Sequence, residues 1–129
     1  MTAEIARAPS NRWPAIATWA LKGLLALAFL AAATMKLTSQ PHMVEEFGKL
    51  GLGQGFRFFT GAVEVIGVAL LLWPAASFIG GLILLGVCAG AFVAQIGPLH
   101  GDLIHVFVLG GLAALAAWLG RPAGLRRAA

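Results

Sequence analysis

The chain has 129 residues, of which 60% are hydrophobic and 11% charged, with a formal net charge of +4. Soluble domains carry about a quarter charged residues, and this much apolar side chain cannot be hidden in one small core, so a soluble enzyme is excluded and lipid is the natural solvent. The basic residues flank apolar runs and form no patch, which excludes a nucleic-acid partner.

In chain order, the first apolar run covers about 15–36, long enough for a span of about 20 residues. Trp13 and Trp19 stand near its start, where indoles favour the membrane interface. Lys22 interrupts it and is expected to snorkel to the near surface. The alternative is a cleaved signal peptide, with Arg7 and Arg12 ahead of an apolar stretch and a small-residue site. Lys22, Ala26, Phe29, Ala33 and Lys36 share one stripe, mostly small, suited to lie against a second helix.

A more polar stretch follows. Met43, Val44, Phe47 and Leu50 recur at helical spacing, Pro41 suits a first turn, and Glu45 and Glu46 suit its positive end. Gly48 and Gly51 are the candidate terminators, so a short amphipathic helix at the interface is expected, with an irregular loop as the alternative.

The second span covers about 56–73 and is ended by Pro74; the third covers about 75–97 and is closed by Pro98. The very short turn between them makes an antiparallel hairpin. Cys88, the sole cysteine, lies inside the third span and reads as a small buried hydrophobe; one thiol cannot make an internal disulfide, which excludes a self-contained dithiol oxidoreductase. The fourth span covers about 103–119, with Asp102 as its expected N-cap. The fold class is therefore all-α: one integral membrane four-helix bundle over 1–129, with a short amphipathic segment between the first two spans. Arg7, Arg12, Arg121, Arg126 and Arg127 lie on the side of the termini, against Lys36, Lys49 and Arg57 in one loop, which favours both termini in the cytoplasm.

Glu64 carries the functional expectation, because a carboxylate in mid-span is costly unless it faces the bundle interior with a partner. Arg57, Thr60, Gly61 and Glu64 share one helical stripe that Gly67 and Val68 continue, while Phe58, Val63 and Leu70 form a face for lipid. Glu64 is either a protonatable group in a proton, quinone or substrate pathway or a buried packing partner. Lys36 and Arg57 are each expected to snorkel to the headgroups, with an ion pair or water-bridged link to Glu64 as the alternative. His100, Asp102 and His105, with Gln95, His42 and Met43, fall at one membrane face and suggest a pocket mouth. No histidine pair has ligand spacing on one helix, so neither metal nor haem is expected. Gly86 and Gly90, with Gly110, read as close-packing devices between helices, as do Gly61 and Gly67.

Met35-Lys36-Leu37, then Phe47 and Leu50-Gly51, then Gly61-x-x-Glu64-x-x-Gly67 running on to Pro74, and finally His100-Gly101-Asp102, follow one another in an order that resembles the DoxX-like family of small bacterial membrane proteins. The resemblance covers about 24–119. It implies a four-helix bundle in a bacterial cytoplasmic membrane, with Lys36, Gly61, Glu64 and Gly67 as signature residues. Some relatives are subunits linked to thiosulfate–quinone oxidoreduction or to redox-stress membrane complexes. The resemblance therefore implies an accessory subunit of a redox- or quinone-linked complex, not an enzyme by itself, with protein partners or copies of itself in the bilayer. No cofactor motif is evident, and quinone is the ligand class left open. A small proton-coupled transporter and a structural or assembly protein are the competing readings.

Overall fold

A computed structural model describes residues 12–124. Arg7, Arg126 and Arg127, which enter the topology expectation, lie outside the described residues. The described chain is all-α, with five α-helices: α1 (Trp13–Leu37), α2 (Pro41–Leu50), α3 (Gln54–Leu72), α4 (Ser77–Ile96) and α5 (Ile104–Leu119). A 3-10 turn over Pro74–Ala76 joins α3 to α4.

Local chemistry accounts for the boundaries. Pro14 sits in the first turn of α1 and Pro41 in that of α2, where a missing N–H costs nothing. Gly51 ends α2 in the left-handed conformation, φ 73°, a position glycine fills without a Cβ penalty. Gly48, the other candidate terminator, stays inside the helix. Pro74 cannot continue the α3 ladder and opens the 3-10 turn that reverses the chain. The expected N-cap of α5 is displaced by one residue: Leu103 occupies the cap, and Asp102 reaches past it to accept the Ile104 N–H at 2.9 Å.

Three stretches are long and apolar enough to cross a membrane: Trp13–Leu37, Gln54–Leu72 and Pro74–Ile96. The fourth apolar helix, α5, has 16 residues and falls short of that length. At about 1.5 Å per residue it spans roughly 24 Å. The amphipathic segment is a fifth helix, α2, not a loop.

The four apolar helices pack as successive neighbours, α1 on α3, α3 on α4, α4 on α5, with a lighter contact returning from α5 to α1. α2 lies across one end against α3 and α1. Leu25, Phe29, Val68, Leu71, Leu84, Val106 and Ala113 form the interior. The outward faces are greasy: Leu27, Ile66, Ile79 and Phe107 are all more than half exposed. Such a surface belongs to a chain solvated by lipid.

The α1 stripe behaves as expected, since Lys22, Ala26, Phe29, Ala33 and Lys36 are all buried. Lys22 does not snorkel. It is 5% exposed, donates to Ser77 Oγ at 2.8 Å and lies 4.5 Å over the Trp19 ring. Ser77, at the start of α4, in turn donates to the Leu71 carbonyl at 2.6 Å, so one hydroxyl satisfies the lysine and the end of α3 together.

Candidate functional site

The site is built at the end of the bundle roofed by α2, between α1, α3 and α4. The Gly61 position admits α1 closely: a Cβ there would stand 3.0 Å from Leu37 Cγ and 3.4 Å from Lys36 Cβ. That approach brings Lys36 beside Glu64, one turn further along α3. Lys36 Nζ lies 2.8 Å from Glu64 Oε1, and the two residues are 8% and 2% exposed. Neither lysine nor glutamate reaches the surface, so the snorkelling expectation for Lys36 gives way to the ion pair. Taking either charge alone from water into this interior costs several kcal/mol, and pairing offsets the larger part of it. The contact is an ion pair by distance, yet Oε1 has no hydrogen bond of good geometry. Lone-pair capacity therefore remains on the carboxylate, and the ammonium has donors beyond the one it turns to Glu64.

Arg57 does not snorkel either, and it does not pair with Glu64. It is 4% exposed, its guanidinium donates to the Lys36 carbonyl and, through Nε, to Gln54 Oε1 at 2.8 Å. A cation at the last carbonyls of α1 completes that helix end. It also fixes the backbone of the residue whose side chain meets Glu64. Gln54 donates to the Val44 carbonyl at 3.1 Å, which ties α2 to the same network.

A cavity of about 750 Å³ lies beside the pair, and both Lys36 and Glu64 are in its wall. Most of the remaining wall is apolar: Phe29 and Ala32 from α1, Ile83, Val87 and Ala91 from α4, Leu109 from α5. Cavities that hold small organic molecules have this size, with a few placed polar groups in a largely apolar wall. Cys88 also lines it and is 6% exposed, as expected of a buried small hydrophobe. α2 covers the end of the cavity with Met43, Glu46 and Phe47, and Phe47 packs on Phe56 with ring centroids 5.9 Å apart.

The remaining sequence candidates divide. Thr60 lines the cavity, although its hydroxyl is committed to the Phe56 carbonyl at 2.9 Å. His105, His42 and Gln95 stand in the wall near the α2 end, as the expected pocket mouth requires. His105 and Asp102 are exposed and 3.7 Å apart, and His100 is an exposed loop residue, φ 48°, outside the cavity wall. Among the described residues no three His, Cys, Asp or Glu side chains gather as metal ligands would. Val63, assigned to the lipid face, lines the cavity instead, with Ile83 and Val87 of α4 in the same wall.

The glycines also divide. At Gly67 a Cβ would come within 2.8 Å of Leu84, and at Gly110 one would lie 3.5 Å from Cys88, as helix-packing positions should. Gly86 and Gly90 correct the expectation. A Cβ at either would meet nothing within 4 Å, and both line the cavity. The tight α3–α4 approach is made nearer the Pro74 turn, by Gly80, where a Cβ would run into the Leu71 backbone. Gly81 makes the α4–α5 approach, where a Cβ would stand 2.7 Å from Ala117 Cβ. Small-xxx-small spacing marks a helix face on which backbones can meet, and only the partner's path decides whether they do. Ser77, Gly80 and Gly81 were not among the sequence candidates; their signal was a serine and a glycine pair within two turns after a helix-breaking proline.

The family model described as the DoxX-like family matches residues 20–119 of the chain. No curated protein and no solved structure matches it.

Proposed function

The chain belongs to the DoxX-like family, and from that premise we propose that it is a four-span accessory subunit of a redox-linked membrane complex that holds a quinone head beside Lys36 and Glu64. The observation that carries this reading is the buried ion pair in the wall of a largely apolar 750 Å³ cavity. A quinone matches that chemistry. Its ring and chain suit the apolar wall, a carbonyl accepts from an ammonium, and the hydroxyl of the reduced form donates to a carboxylate. The charges gain in worth from the dry surroundings that made them costly to bury. The electrons would come from a partner subunit, since this chain's residues supply binding, orientation and a carboxylate for proton exchange. The proposal includes one membrane domain, both termini on the cytoplasmic side of a bacterial inner membrane, and α5 as the fourth crossing. A helix of roughly 24 Å is accommodated by local thinning or by its neighbours' tilt at modest cost.

The test is a binding titration of a short-chain benzoquinone to the purified protein in nanodiscs. The wild type should bind saturably and Glu64→Gln should lose most of that affinity while keeping its helical spectrum. Absence of saturable binding, or equal affinity in the two proteins, would overturn the proposal.

A further inference from the structure

The cavity has two possible entrances, and one of them is roofed. At the α2 end, Phe47 is 7% exposed and packs on Phe56, while Gln54 holds the Val44 carbonyl. The flank between α3 and α4 differs. These helices touch near the Pro74 turn, where Gly67 meets Leu84 and Gly80 meets Leu71. Carrying that antiparallel register away from the turn brings Gly90 level with Gly61, and Gly86 one helical turn nearer the contact. Gly86 and Gly90 have nothing within 4 Å of a Cβ, both are exposed although they lie well inside α4, and both belong to the cavity wall. Phe59 and Val63 border the same opening from α3. Gly86 and Gly90 are therefore where the cavity meets the surroundings of the bundle, within a stretch long and apolar enough to cross a membrane.

We infer that this flank is a lateral portal, through which the ligand enters from the bilayer and in which its long apolar chain comes to rest. The inference rests on the function proposed above and adds to it that the ligand is drawn from the membrane and not from water. Two independent features support a chain-bearing amphiphile. The glycine-lined gap lacks the van der Waals partners that hold helices together in lipid, and a hydrocarbon chain supplies them. In the wall of the cavity behind the gap stands Glu64, 2% exposed and paired with Lys36 at 2.8 Å, a buried charge pair with hydrogen-bonding capacity left over for a polar head. The two glycines thus act as specificity determinants for the chain, while Lys36 and Glu64 serve the head.

The experiment compares two probes in nanodiscs: a benzoquinone with a long isoprenoid chain, and the same ring with only a short substituent. Two alterations narrow the gap from opposite walls, the pair Gly86→Leu with Gly90→Leu on α4, and Val63→Phe on α3. Each should weaken the long-chain probe by about tenfold or more, the value of one or two apolar side-chain-sized contacts, and weaken the short probe by a clearly smaller factor. Thermal unfolding identifies any variant that does not fold, and the other variant then decides. If a folded variant binds the long-chain probe as tightly as the wild type, the portal is wrong and the head site stands. If both probes are lost together with a change in oligomeric state, the gap is a contact between copies of the chain and the portal is overturned. If the wild type binds neither probe, the portal and the proposed function fail together.

Discussion

The two ends of the bundle solve opposite problems with the same four apolar helices. Near the Pro74 turn the helices are pressed together by residues without side chains: Gly80 lies against the Leu71 backbone, Gly81 against Ala117, and a Cβ on Gly120 would stand 2.9 Å from Ser77 Cβ. The cation there, Lys22, is absorbed by one hydroxyl that also closes α3. At the α2 end a Cβ on Gly86 or Gly90 would meet nothing within 4 Å, and a pair of opposite charges lines the hollow. The lesson concerns glycine in membrane helices. The same residue makes contact where a neighbouring backbone arrives and makes room where it does not.

The largest expected effect lies at the hollow end. Lys36→Met leaves Glu64 buried without its cation and should destabilise the protein by about 3–5 kcal/mol, whereas Lys36→Met combined with Glu64→Leu should recover most of the loss. Equilibrium unfolding in mixed micelles, followed by circular dichroism, measures both. A single variant as stable as the wild type would remove the ion pair from the account. At the closed end, Gly80→Ala meets main chain that cannot move aside, and the same measurement should register a loss of about 1–3 kcal/mol or more. Ser77→Ala strips the lysine of its hydroxyl partner and should cost about 1–3 kcal/mol, with Lys22→Met in the same chain restoring part of it. Gly86→Ala should be the mildest, within about 0.5 kcal/mol of wild type or more stable by up to about 1 kcal/mol, because the added methyl meets open space and alanine is the better helix former. Equal losses from Gly80→Ala and Gly86→Ala would erase the contrast between the ends.

Much of this architecture was legible in the sequence, for identifiable reasons. Helix periodicity and proline punctuation mark the elements to within a few residues. The cost of a carboxylate in hydrocarbon turns Glu64 inward without any knowledge of its partners. What pattern could not supply was the path of the neighbouring helices. Both the open space at Gly86 and Gly90 and the place of Val63 in the cavity wall depend on where a second backbone runs, a property of the pair and not of either helix. The basic residues misled for a related reason. Lys22, Lys36 and Arg57 all carry stems long enough to snorkel, but each found a buried acceptor offered by another element: Ser77 Oγ, Glu64 and the Lys36 carbonyl. Those acceptors lie 55, 28 and 21 positions away along the chain. The family match over residues 20–119 agrees with the resemblance carried by Lys36 and the Gly61-Glu64-Gly67 spacing.

The central claim is that the hollow end, and not the closed end, receives a quinone head. Photolabelling with an azido-substituted benzoquinone, followed by peptide mass spectrometry, tests it most directly. Label should fall on the peptides holding Lys36 to Glu64 or Val87 to Leu109, and excess unlabelled quinone should suppress it. Label confined to the peptides around Trp19, Ser77 and Ala117, or spread over the lipid-facing surface without competition, would contradict the account.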